Sequence, residues 1–190
     1  MEAVEITKLL NDIRSGDKKA ANLLIDAVYT SLQGIARNHF SRERPDHTLQ
    51  PTALVHEAWM RLNQKRIDYK DRGHFYAIAA RQMRRILVEH GRQFRAERRG
   101  NGLKLQFDES LHGLPWKDKE IEDVDDLLDH LERIDPAAAK TVEMKFFAGM
   151  TDEEVAAELG CGHSTVRRHW SFAKAWLTHQ FARSASTKES

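Results

Sequence analysis

The sequence predicts an all-α chain made of two small helical domains joined by an acidic linker. Three observations point there. Apolar residues recur at steps of three and four along most of the chain. That period lapses between Arg98 and Ile121, where Gly100, Gly102, Gly113 and Pro115 fall. Thr151 to Lys174 has the spacing of a helix-turn-helix. We expect domains at 1–102 and 124–184, a linker at 103–123 and a polar tail at 185–190.

Taken in order, Val4, Ile6, Leu9, Leu10 and Ile13 form one apolar face that stops at Ser15-Gly16-Asp17, and Ala20, Leu23, Leu24, Ala27, Val28, Leu32 and Ile35 form a second that runs to about Phe40. The polar SRERPD stretch, with Pro45, then breaks the chain. Pro51-Thr52 opens a third helix, because proline at the first helical position gives up no hydrogen bond. Its apolar stripe is Leu54, Val55, Ala58, Trp59 and Leu62, which leaves His56, Glu57, Met60, Arg61 and Gln64 facing outward. An exposed thioether among mixed charges is suited to docking another protein. A polar loop holding Tyr69 leads into a long helix whose inward face is Phe75, Ile78, Ala79, Met83, Ile86 and Leu87.

Beyond the linker, where Trp116 could serve as a local anchor, Val124, Leu127, Leu128, Leu131 and Ile134 restore the helical period, and Pro136 starts another helix. Val142, Met144, Phe146 and Phe147 then lead to Gly149-Met150. Thr151 offers an N-cap hydroxyl, Glu154 completes a capping box, and Asp152 and Glu153 place negative charge at the helix start. Val155, Ala156 and Leu159 face inward, and Gly160 permits the left-handed turn that ends the helix. After Gly160-Cys161-Gly162, either His163 or Ser164 can cap a second helix that buries Val166, Trp170, Ala173 and Leu177. Ser164, Thr165, Arg167, Arg168 and Lys174 remain on its outer side, a shape and charge suited to a major groove.

Charge is balanced overall, 30 Lys+Arg against 29 Asp+Glu, so net charge by itself names no polyanionic partner. Its distribution does: Arg72 to Arg99 holds eight arginines and two glutamates, and Asp118 to Asp129 holds seven acids and one lysine. Arg81, Arg84, Arg85, Arg92 and Arg95 would draw a phosphate backbone, and Tyr69, Phe75 and Tyr76 could stack on an unpaired base. The alternative is that those aromatics are core and the arginines pair with the acidic stretch. The lone Cys161 forms no internal disulfide, the N-terminus lacks a secretory pattern, and no stretch is apolar enough to cross a bilayer, so we expect a cytoplasmic protein. His56-Glu57 begins like a zinc-protease motif, but Met60 stands where the second histidine belongs. No Gly-rich phosphate loop follows a strand and no nucleophile-base pairing is legible, so the expectation is a non-enzyme without metal or cofactor.

The stretches TALVHEAWMRL, DRGHFYAIAARQMRRILVEHGR with the following RRG, and IDPAAAKTVEMKFFAGMTDEEVAAELGCGHSTVRRHWSFAKAWL together resemble a bacterial ECF-type (extracytoplasmic function) RNA polymerase sigma factor, most closely its ECF-like subgroup. The resemblance covers nearly the whole chain. It implies a sigma-two domain, a linker and a sigma-four domain. It assigns His56, Glu57, Met60 and Arg61 to the clamp of the largest polymerase subunit, and adds the flap of the second-largest subunit as a partner. It makes Tyr69, Phe75 and Tyr76 a base-capture pocket at the minus-ten element, with Arg81, Arg84, Arg85 and Arg92 on strand and phosphate, and gives minus-thirty-five recognition to His163, Ser164, Thr165, Arg167, Arg168 and Lys174. An anti-sigma factor is a possible further partner. Where the family has a strongly aromatic stretch with a tryptophan in its melting helix, this chain has Ile78-Ala79-Ala80. A conventional helix-turn-helix regulator would account for Thr151 to Lys174 equally well, but gives Thr52 to Arg99 no role. The opposed charges also suggest that the two domains fold against each other, basic helix to acidic stretch, hiding both DNA surfaces.

Overall fold

The computed structural model describes residues 3–39, 51–64, 68–98, 114 and 119–188. The polar break around Pro45, the glycines at 100 and 102 and the Trp116 anchor lie outside them. Among the described residues the chain forms eight helices: α1 (Ala3–Arg14), α2 (Lys18–His39), α3 (Pro51–Gln64), α4 (Arg72–Arg98), α5 (Ile121–Ile134), α6 (Pro136–Ala148), α7 (Asp152–Leu159) and α8 (His163–Lys188). The last runs on through residues expected to be tail, and α5 begins inside the stretch expected to be linker.

Each boundary has a local cause. Gly16 turns the chain at φ 94°, and the Asp17 carboxylate accepts the Lys19 amide at 2.8 Å to start α2. Asp135 closes α5 and caps α6 at once: its carboxylate accepts the Ala138 amide at 2.9 Å, and Pro136 fills the first position of α6. Gly149 ends α6 in the left-handed region.

The 27-residue α4, about 40 Å long at the helical rise per residue, is the axis of the molecule. The sequence predicts one inward face for it, yet Tyr76, Ala80, Gln82, Val88 and Gly91 are buried along with the expected residues, of which Ile78 alone is half-buried. Two layers cause this. α1 and α3 cover one side of α4; α5, α6 and α7 cover the other. Ala79 and Ala80, both fully buried, let flanking helices approach without a bulky side chain between them. In the second half α6 is the buried helix, packed against α4, α8 and α5, with Val142, Phe146 and Phe147 in the core and Thr141 donating its hydroxyl to the Ala137 carbonyl at 2.8 Å. The buried apolar residues of both halves form one continuous core.

Candidate nucleic-acid interface

The helix-turn-helix expected from the sequence is present, except that neither His163 nor Ser164 caps α8: the helix already includes both, and the Gly162 carbonyl accepts the Thr165 and Val166 amides at 3.0 and 3.1 Å. Thr151 Oγ1 accepts the Glu154 amide at 3.3 Å, and the Glu154 carboxylate accepts the Thr151 amide at 2.9 Å, completing the capping box. Gly160 ends α7 at φ 63°, and the amide of Cys161 donates to the Ala156 carbonyl at 3.0 Å. Val166, Ala173 and Leu177 anchor α8 in the core, with Trp170 half-buried under the Lys145 ammonium 5.2 Å from its ring centre. His163, Ser164, Arg167, Arg168 and Lys174 are exposed and Thr165 is half-buried. Arg167, with a side chain 73% exposed, meets only the edge of Asp152, at 3.4 Å. The Lys145 hydrogen bond holds the Asp152 carboxyl below its ordinary value. The outcome is an open, cationic first turn and a half on a helix held rigidly from behind.

The α3 surface is partly committed. Met60 is 46% exposed and His56 is exposed, as expected. Glu57 and Arg61 are half-buried, because Arg61 forms a two-pronged pair with Glu89 of α4, at 3.0 and 2.5 Å, and a bond to Glu57 at 2.6 Å. These raise the Arg61 guanidinium and lower the Glu89 carboxyl. His90 Nε2 lies 3.0 Å from the second Glu57 oxygen. Glu89 and His90 thus extend this face onto α4. The Glu57-Arg61 spacing was visible in the sequence; the partners from another helix were not.

The aromatic trio sits differently from an open base pocket. Phe75 and Tyr76 are 1% and 3% exposed, packed edge to face at 5.5 Å, and Tyr69 lies edge-on to Phe75 at 5.1 Å. Tyr69 donates its hydroxyl to the Leu62 carbonyl at 3.0 Å, and burial pushes its phenol up to about 12. The Arg72 guanidinium covers the Tyr76 ring at 4.7 Å. In this arrangement the rings are core, as in the alternative reading.

The α4 arginines divide. Arg85 is exposed on the surface. Arg84, only 11% exposed, donates to Asp125 at 2.7 Å, to the Asp125 carbonyl at 3.0 Å and to Asp129 at 2.5 Å, and reaches Glu143 at 3.5 Å. Burial pulls its guanidinium down, but the carboxylates of Asp125, Glu143 and Asp129 together raise it. Arg81 lies 3.5 Å from Glu143 and Arg92 3.9 Å from Asp125. Arg95 pairs with Glu120 and, at 3.6 Å, with Glu122, while Arg72 pairs with Glu154. Glu143 and Gly91 carry no signal in the sequence that marks them for this seam; both are positions that only the packing of the two halves singles out.

No group of three or more His, Cys, Asp or Glu is placed to hold a metal ion among the described residues. No helix of the described residues is long and apolar enough to cross a membrane.

A helix-turn-helix with an exposed cationic second helix, a third helix that exposes Met60 and an arginine-lined central helix are thus on one all-helical chain, and the family model described as ECF sigma factor matches residues 3–183. The chain belongs to the ECF sigma factor family. Comparison with curated proteins and with solved structures gives no match. As an ECF sigma factor it is a DNA-binding regulator that acts in transcription initiation with RNA polymerase, and its all-helical architecture agrees with the two-helical-domain fold of that family.

Proposed function

We propose that this ECF sigma factor binds core RNA polymerase and directs it to promoters, with the work divided among three surfaces. The minus-thirty-five element is read by His163, Ser164, Thr165, Arg167, Arg168 and Lys174 on α8. The exposed strip of α3, centred on Met60 with His56 and the Glu57-Arg61 pair, docks on the clamp of the largest subunit, and the C-terminal domain docks on the flap of the second-largest. The minus-ten element is engaged by α4 through Arg81, Arg84, Arg85 and Arg92, with Tyr69, Phe75 and Tyr76 receiving a base once α4 is uncovered.

The observation that carries this reading is the exposed cationic start of α8 in a capped helix-turn-helix. Phosphate attraction by arginine is blind to sequence, so discrimination has to come from base-edge contacts at α8 and from captured bases. Unstacking a base costs a few kcal/mol, and a stacking pocket returns roughly 1 to 3 kcal/mol. Strand opening therefore depends on polymerase.

The test is promoter opening on genomic upstream fragments, read by reactivity of unpaired thymines, with purified core polymerase and with or without this protein. Opening that requires both components is expected. Binding without core and without opening would instead make the chain a conventional regulator.

A further inference from the structure

We propose that Phe172 is a specificity-determining residue of α8: its ring lies against the C5 methyl of one thymine in the promoter segment that α8 reads. The inference rests on the proposed reading of the minus-thirty-five element by α8 and adds the base that this position selects.

An amphipathic helix turns its large apolar side chains toward the protein. Three rings of α8 follow that rule. Trp170 lies under the Lys145 ammonium, Trp176 is edge-on to His130 at 5.4 Å, and Phe181, 7% exposed, lies 5.2 Å from the Lys119 ammonium. Phe172 breaks the rule. It is 41% exposed, and among the described residues it belongs neither to the core nor to the apolar side chains packed against it. The helical period accounts for the placement: Val166, Ala173 and Leu177 mark the anchored side, whereas Ser164, Arg168, Ser171, Phe172 and Ala175, all exposed, fall on the outer one. Phe172 therefore stands one turn beyond Arg168, about 6 Å along the axis or roughly two base-pair steps. Its neighbours Ser171 and Ala175 are short, so the ring rises above the surface around it.

The surroundings select the partner. Over its 26 residues α8 carries no aspartate or glutamate, so nothing on this helix repels a phosphate backbone. Within a major groove the apolar group that a base edge presents is the thymine methyl. The ring has no hydrogen bond to offer the N7 and O6 of guanine or the N4 amine of cytosine, and covering those groups strips their water without replacing it. Thymine is thus favoured both by the contact it makes and by the penalty its rivals carry. Arg168 reads hydrogen-bonding groups and Phe172 reads a methyl.

The experiment uses the full chain with core polymerase on genomic upstream fragments in which a fraction of the thymines is replaced by uracil. Uracil lacks the C5 methyl and keeps every hydrogen-bonding group. Transcribed fragments are separated from the rest and their uracils mapped. For the wild-type chain, uracil at one position of the minus-thirty-five segment is expected to lower initiation about fivefold. Phe172→Ala should lower initiation from unsubstituted fragments by a similar factor and abolish the effect of uracil, so that the two changes are not additive. Phe172→Leu, which keeps an apolar tip, should retain most of the effect, and both variants should keep the wild-type unfolding midpoint. A segment with no uracil-sensitive position in the wild-type chain would overturn the proposal. So would an effect of uracil that survives in Phe172→Ala, since a loss equal with thymine and uracil makes the ring a contact for polymerase. Arg168→Ala separates the two levels of the argument. If it leaves the choice of promoters unchanged, the reading role of α8 fails; if it alters that choice while uracil has no effect, the Phe172 contact alone fails.

Discussion

Arg84 shows how a single residue can be read correctly for charge and missed for partners. Its neighbour Arg85 looks identical in the sequence, but one helical step of about 100° places Arg85 in solvent and Arg84 among three carboxylates. Removing a buried guanidinium strands the carboxylates facing it, so Arg84→Ala should cost about 3 kcal/mol, and Arg85→Ala about 0.5 kcal/mol or less. Urea denaturation of the two variants measures the contrast; equal losses would mean the Arg84 cluster is not a structural pair. Met60 belongs to the same scale. Replacing it with glutamate, on a side chain already exposed, should leave the unfolding midpoint where it is and weaken core polymerase binding about tenfold, roughly 1.4 kcal/mol.

At the scale of elements, the boundaries that carry chemical markers were legible: Thr151 with Glu154, Gly160, Pro136, and the Ser15-Gly16-Asp17 turn each fix a helix end through local backbone bonding. The capping box predicts that Thr151→Ala destabilises the C-terminal half by about 1 kcal/mol, visible as a lower melting temperature. The pH dependence has a definite sign. The folded-state carboxyl of Asp152 lies below its ordinary 3.8, chiefly through Lys145, so its contribution is present above that value and lost as pH falls through the folded value. Lys145→Met should flatten the acid limb of the stability profile below about pH 4; a limb as steep as in wild type would show that Asp152 is not its source. On α8, Arg168→Ala should cost about 1 to 3 kcal/mol of promoter discrimination, measured as transcription from matched and mismatched minus-thirty-five sequences with core polymerase.

For the whole molecule, the all-helical class and the helix-turn-helix followed from periodicity and turn residues, which are local. The doubly covered α4 did not. Hydrophobic period shows one buried stripe when a helix has one neighbour layer, and Ala80, Gln82 and Gly91 are too small or too polar to announce a second. Val124, Leu128 and Leu131, all buried in α5, were legible as helix from their spacing, whereas Ile121, Glu122 and Asp123 fell in the stretch read as linker because charge there outweighs the single apolar residue. Opposed charge on the two halves did suggest that they meet, but named neither Glu143 nor the Gly91 approach. Asp135 sits at a corner. One residue ends α5, starts α6 and lies 3.4 Å from His169 on α8, so a single side chain joins three helices. The same corner therefore reaches the helix that exposes Arg167 and Arg168, within one turn of the contact.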